Sequence, residues 1–149
     1  MQVPITLILT PDGSPEMLDR WLARRTVPWV RHTVSAADNA PAHFLAGLGA
    51  ALRALVPGLR LTRLAPATDP LDATAQLLNA LLAVEDDFAV VLEDYQAITA
   101  PPVHAVVALM LNYPPPCMHL YLVSQSVPPL PFPRLRVRQQ LVEIDLRRR

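Results

Sequence analysis

The chain alternates short apolar runs with longer segments in which apolar residues recur every three or four positions. Short runs bounded by turn residues are typical of buried strands, and the longer periodicity is typical of amphipathic helices. Strand, helix and strand in this order form right-handed crossover units of a parallel sheet. The pattern predicts strands over residues 4–10, 27–34, 88–93, 118–124 and 141–146, and helices over residues 16–25, 41–56, 69–84, 102–112 and 134–139; residues 59–64 are a short exposed strand or a connector.

The segment that organises the chain is FAVVLEDYQAI, residues 88–98. Its apolar start is typical of a strand buried on both faces of a parallel sheet, and it leads directly into Glu93 and Asp94. Ligands bind at the carboxyl ends of such strands, and in P-loop NTPases an acidic pair at that place holds Mg²⁺ and polarises the attacking water. The simpler alternative is that the two acids end the strand and cap the next turn.

A turn cluster, PDGSP, separates the first predicted strand from the first predicted helix. Ser14 is a suitable N-cap and Pro15 suits the first helical position, so the helix is predicted to begin here. A strand, a turn and a helix in this order are the frame in which a phosphate-binding loop is found.

Polar residues also follow the strand at 118–124. Ser124, Gln125 and Ser126 are expected beside the acidic strand end if the two strands are neighbours. The following segment, residues 127–133, has the composition of a polyproline ligand, but its place between a strand and a helix favours an ordered loop. Arg134, which begins the last predicted helix, is either solvated or able to reach a phosphate.

Composition narrows the classes of function. The chain has 149 residues, enough for one domain, and a net charge of zero, which gives no basic footprint for nucleic acid. No apolar run approaches the length of a membrane span, and the N-terminus does not resemble a signal peptide, so we predict a cytoplasmic protein. The single Cys117 excludes an internal disulfide, and the four histidines show no metal-ligand spacing. All 13 basic residues are arginine.

Three segments carry a resemblance to a known family: VVLEDYQAI, DNAPAHFLAGLGAAL and HLYLVSQSVPPLPFPRLRVRQQLVEIDL. They resemble the nucleotide-binding domain of the large ATP-dependent LuxR-type transcriptional regulators related to MalT, which are STAND-class signalling ATPases. The resemblance implies an α/β fold, a three-layer sandwich with a mainly parallel five-stranded sheet of the P-loop NTPase type. It also implies that residues 1–149 form a single domain, the N-terminal core of a longer regulator.

The chain departs from this family at the phosphate loop. Asp12, Gly13 and Ser14 take the P-loop position, but the Gly-Lys-Thr end of the loop is missing, and with it the lysine that reaches the phosphates. Glu16 adds a negative charge where phosphate should bind. Gln125 stands where the family has an arginine that senses the γ-phosphate. Asp94 would hold a metal ion only together with a nucleotide.

Three hypotheses follow from this combination. The first is a degenerate, or pseudo-, NTPase without a cofactor, which acts through contacts with its own downstream domains or with another protein. The second is a switch domain that binds ATP and Mg²⁺ through backbone amides of residues 12–14, with Arg134 or Arg136 replacing the lysine. The third is a protein-interaction module that forms a homodimer, because only 17% of the residues are charged, against about a quarter in a typical domain. None of the three involves direct nucleic-acid or membrane binding by this segment.

Overall fold

The computed structural model describes residues 3–11, 16–24, 27–57, 59 and 69–147. Within these ranges the structure has one five-stranded sheet, in which all neighbouring strands are parallel. The strands are β1 (Ile5–Leu9), β2 (Trp29–Thr33), β3 (Phe88–Glu93), β4 (Met118–Ser124) and β5 (Leu141–Asp145), in the spatial order β2-β3-β4-β1-β5. The helices are α1 (Glu16–Ala23), α2 (Pro41–Leu55), α3 (Pro70–Leu81), α4 (Pro101–Asn112) and α5 (Phe132–Val137), and the 3₁₀ turns are η1 (Ala36–Asn39) and η2 (Tyr95–Ala97).

Helices cover both faces of the sheet. On one face α2, α3, α4 and α5 contribute to a large apolar cluster around Phe44, Leu48 and Phe88. On the other face α1 places Leu18 and Leu22 against alternate residues of the central strands. Every residue of β3 and β4 is buried, as expected for strands covered on both faces. The structure therefore confirms the predicted α/β three-layer architecture, and its sheet is entirely parallel.

One difference from the predicted elements lies at α5, which is shifted by two residues. This helix begins at Phe132, within the Pro-rich segment, because Leu130 and Phe132 pack into the large core and fix the chain there. It ends at Val137, and Gln139 then takes a left-handed conformation with φ 58°. The Pro-rich segment is thus an ordered part of the domain.

Other predicted boundaries hold to within a few residues. The helix predicted to reach residue 84 ends at Leu81, and the strand predicted from residue 27 begins at Trp29. Predictions for residues 12–15 and 60–64 fall outside the described residues. In the part of the chain that is described, none of the helices combines the length and apolar character needed to cross a lipid bilayer.

The strand order determines which loops meet. Because β4 lies between β1 and β3, the polar residues after β4 are neighbours of the acidic end of β3. This placement confirms the expectation for Ser124 and Gln125. The carboxyl end of β2 lies on the other side of β3 and adds residues that the sequence pattern did not single out.

Candidate functional site

Glu93 is the last residue of β3, and its side chain is nearly inaccessible to solvent, with 9% exposed. Its backbone oxygen accepts a 2.8 Å hydrogen bond from the N–H of Val34, so β2 and β3 stay paired to this point. A carboxylate at so buried a place needs a compensating positive charge or several hydrogen bonds. The structure supplies the charge from the neighbouring strand.

Arg31, on β2, forms an ion pair with Glu93 through its Nε atom. Its Nη2 atom forms a second ion pair, with Asp19 of α1, and the guanidinium carbon lies 5.5 Å from the centre of the Trp29 ring. The guanidinium therefore connects α1, β2 and β3. The Glu93 carboxylate, which the sequence predicted as a catalytic acid, is therefore paired with a side chain of the protein itself.

Asp94 follows Glu93 in a left-handed conformation, with φ 57° and ψ 40°. Aspartate tolerates this region better than most residues, but such conformations still cost on the order of 1–3 kcal/mol and cluster at functional sites. The turn it makes directs the chain into η2. Its Oδ1 atom lies 3.5 Å from the amide nitrogen of Gln96, a long hydrogen bond. Asp94 is thus the less constrained member of the acidic pair.

Gln96 connects the acidic loop to the end of β4. Its side-chain oxygen accepts a 3.1 Å hydrogen bond from the backbone N–H of Gln125. The Ser124 hydroxyl, at the end of β4, donates to the backbone oxygen of Ser126 at 2.7 Å and shapes the same turn. Gln125, predicted at the sensor position, does lie beside the acidic pair, but its backbone makes this contact and its side chain is exposed.

Asn39 connects the acidic loop to the other side, the loop after β2. Its Oδ1 atom accepts hydrogen bonds from the backbone N–H groups of Thr99 at 2.7 Å and Ala100 at 2.9 Å. Its Nδ2 group donates to the backbone oxygens of Ala97 at 2.9 Å and Ala36 at 3.1 Å. One side chain therefore holds η1, η2 and the start of α4 together.

Asp38, one residue before Asn39, is 1% exposed and accepts from the backbone N–H of Ser35 at 2.9 Å. His43 Nδ1 lies 2.9 Å from its Oδ1 atom, and His32 Nε2 lies 3.7 Å from its Oδ2 atom. Burial by itself raises the pKa of Asp38, but the hydrogen bonds from Ser35 and His43 and the nearby charges of both histidines outweigh it and hold the pKa below its ordinary value of 3.8. His43 is half-exposed and belongs to this cluster.

Tyr95 and His104 hold η2 against α4. The Tyr95 hydroxyl lies 3.0 Å from His104 Nδ1, and Tyr95 is almost fully buried. Burial raises the pKa of the Tyr95 phenol and lowers the pKa of His104. Both shifts favour the neutral forms, so this contact is a neutral hydrogen bond at pH 7.

The residues predicted to bind phosphate are not gathered around the acidic pair in the described part of the chain. Asp12, Gly13 and Ser14 lie outside the described residues. Arg134 is exposed on α5. Arg136, the other candidate for the missing lysine, donates hydrogen bonds to both oxygens of Glu143, at 2.8 and 2.5 Å.

In the ranges that the structure describes, no three His, Cys, Asp or Glu side chains come together in a way that could hold a metal ion. Asp94, predicted as a metal ligand only in the presence of nucleotide, therefore belongs to no such group of three in the described ranges. Asp19 and Glu93 both form ion pairs with one guanidinium, that of Arg31.

Sequence reasoning missed the residues that organise this edge: Arg31, Asn39 and Gln96. Arg31 had a visible signal, because a charged residue within an apolar strand segment needs a partner when the strand is covered. Asn39 lies in the DNAP segment that carries part of the family resemblance. Gln96 had no signal, because its partner is a backbone N–H on another strand.

Comparison with known sequences finds proteins named HTH-type transcriptional regulator MalT. The chain is 30% identical to the protein of Cronobacter sakazakii over 148 residues, 29% identical to that of Serratia proteamaculans over 148 residues and 28% identical to that of Yersinia enterocolitica over 150 residues. The matches cover 94–95% of this chain, which spans 16% of the length of these relatives. They confirm the resemblance to MalT. No protein-family model matches the chain.

Comparison with solved structures finds a similar fold in the Aeropyrum pernix ORC1 protein, whose structure was solved in complex with DNA. The TM-score is 0.58 at 18% sequence identity, and the match covers 94% of this chain and 38% of that protein. At this identity the likeness concerns the fold alone. It supports the predicted P-loop NTPase-like architecture.

Proposed function

From the homology of this chain to the MalT transcriptional regulators over 94% of its length, we propose that it is a degenerate NTPase domain of a bacterial signalling regulator of the STAND, LuxR-type class. In this proposal the domain acts through contacts with other domains or subunits and does not hydrolyse ATP. The coarser part, an NTPase-like domain related to transcriptional regulators, rests on the sequence relatives and on the fold.

The observation that carries the proposal is the ion pair between Glu93 and Arg31. An NTPase needs the acid at this strand end to face a metal ion or a water molecule next to the γ-phosphate. Here the acid is buried and faces a fixed guanidinium. The absence of lysine from the whole sequence supports the same conclusion, because no side chain of the usual type can reach the phosphates.

Calorimetric titration of ATP and of ADP with Mg²⁺ into the purified chain tests the proposal, with Asp94→Ala as the matched variant. We expect no heat of binding up to millimolar nucleotide in either protein. Micromolar binding that weakens in Asp94→Ala would contradict the proposal and favour the second hypothesis, a switch domain that binds nucleotide without the lysine. Exposed Arg134 would then be the next residue to replace.

Contacts with other protein surfaces are the other half of the proposal. Val137 on α5 is 85% exposed, and Tyr113 at the end of α4 is 69% exposed. Large apolar side chains this exposed are candidates for burial against downstream domains, another protein or a second copy of the chain. Sedimentation velocity of the wild type and of Val137→Ser and Tyr113→Ser variants tests the last of these. Concentration-dependent association that either variant weakens would identify a homodimer surface.

A further inference from the structure

Buried carboxylates place a strong constraint on their surroundings. Removing an ionised carboxylate from water costs several kcal/mol unless an opposite charge compensates it. Glu93 has 9% of its side chain exposed, and among the described residues its ion-pair partner is Arg31. Arg31 is therefore the positive charge that faces the Glu93 carboxylate at the end of β3.

The same guanidinium also serves a second carboxylate. Arg31 pairs with Glu93 of β3 through Nε and with Asp19 of α1 through Nη2, and Arg31 itself comes from β2. A planar guanidinium offers donors in several fixed directions, so it can bridge two carboxylates from different elements. Bridging carboxylates from separate elements is also what a bound divalent cation does with oxygen ligands.

We propose that the Arg31 guanidinium is a built-in cation that does the work of a metal ion at the acidic strand end, holding α1 and β3 together without nucleotide or metal. This inference rests on the proposed function and deepens it, since it explains how the buried carboxylate of Glu93 is accommodated at the strand end of a domain that binds no Mg²⁺–nucleotide. Asp94 is not part of this bridge, which consists of Asp19, Arg31 and Glu93. The position of α1 is then independent of any ligand.

Two consequences distinguish this role from ordinary packing. First, replacing Arg31 by a neutral side chain leaves two carboxylates facing each other, and an added cation should take the vacated place. Second, the destabilisation should come from the charge left on Glu93, so removing that charge as well should restore stability. Replacing a buried ion pair by apolar residues of similar volume is often neutral for stability, whereas removing one partner is strongly destabilising.

Terbium chloride is a suitable probe, because Tb³⁺ prefers carboxylate oxygens and emits when a nearby tryptophan is excited. Trp29 lies beside the Arg31 guanidinium and is positioned to sensitise an ion at this place. We expect Arg31→Met to gain terbium emission that the wild type lacks, and we expect Arg31→Met/Glu93→Gln to lose it. Trp29→Phe in the Arg31→Met background should reduce the emission, which excludes a signal from Trp21, the other tryptophan.

Thermal unfolding provides the second measurement and covers the case in which Arg31→Met folds poorly. We expect Arg31→Met to lower Tm by about 5–10 °C and the double variant Arg31→Met/Glu93→Met to recover most of that loss. Equal terbium emission in the wild type and in a folded Arg31→Met variant, or a double variant with the summed loss of the two single variants, would overturn the inference. Nucleotide binding by the wild type would contradict the proposed function. The terbium and unfolding measurements would still decide the inference about Arg31.

Discussion

Two arginine–carboxylate pairs in this domain contain the same chemical groups in different surroundings. Arg31, from the edge strand β2, and Glu93, at the end of the interior strand β3, form the central pair, in which the glutamate side chain is 9% exposed. Arg136 and Glu143 meet at the edge of the sheet, where both side chains are more than 40% exposed. The edge pair has the more regular geometry, with two hydrogen bonds, yet the central pair constrains the fold more because the Glu93 carboxylate is largely shielded from water.

The edge pair shows what hydrogen bonding alone accomplishes. The Arg136 guanidinium lowers the pKa of Glu143, and Glu143 raises the pKa of Arg136, in each case chiefly through the side-chain hydrogen bond. Exposed pairs nevertheless contribute little to stability, because water and salt screen the charges and ordering both side chains costs entropy. The comparison teaches that geometry identifies an ion pair, whereas burial decides what its loss costs.

The largest effect is expected from Glu93→Gln. This near-isosteric change removes the negative charge and leaves Arg31 with Asp19 alone, so we expect the free energy of unfolding to fall by about 2 kcal/mol. Urea denaturation at neutral pH measures it. Glu143→Gln is the matched control at the edge pair. Equal losses in the two variants would show that burial does not separate the pairs.

The next largest effect is expected from Asn39→Ala, which removes the side chain that hydrogen-bonds the loop after β2 to the loop after β3. The change leaves the N–H groups of Thr99 and Ala100 and the oxygen of Ala97 without their side-chain partner. We expect a loss of about 1–2 kcal/mol, together with faster hydrogen exchange of the Thr99 and Ala100 amides. Asn79→Ala, on the exposed face of α3, is the control and should leave both quantities unchanged.

Asp38 extends the comparison to a buried carboxylate whose partners are a backbone N–H and histidines. Because its pKa in the folded state lies below 3.8, the ionised form contributes stability above that pH, and the contribution is lost as pH falls through the folded pKa. We expect Asp38→Asn to be less stable than the wild type at pH 5, with the difference shrinking below about pH 3.8. Urea midpoints measured from pH 5 to pH 2 test this. A difference that stays constant across the range would contradict it.

The smallest effect is expected from Arg136→Met at the edge pair. Since both partners are well exposed, we expect Tm to change by no more than about 1–2 °C, and the change should disappear in high salt. A large, salt-independent loss would mean that α5 and β5 depend on this pair for their packing. Comparing the Tm loss of this variant with the Tm loss of Arg31→Met tests most directly whether burial sets the cost of losing an arginine–carboxylate pair.

The fold was largely predictable from sequence because the spacing of apolar residues and the length of each apolar segment distinguish strands from helices. The largely apolar runs of β1, β3 and β4 lie within buried strands, and the helical stripes of α2 and α3 point to the large core. Boundaries were less certain where tertiary contacts decide them. The core positions of Leu130 and Phe132 placed the start of α5 inside a Pro-rich segment that by composition looked like a loop.

The site divides in a similar way. Sequence alone determined that an acidic pair ends a buried strand, that the polar residues after β4 follow a second buried strand and that no lysine is present. Only the tertiary structure decided that Arg31 faces Glu93, that Asn39 ties the loops after β2 and β3 and that Gln96 meets Gln125. The physical reason is that hydrophobic periodicity is a local property of the chain, whereas the partner of a buried polar group comes from strand order and register, which join residues up to 62 positions apart (Arg31 to Glu93).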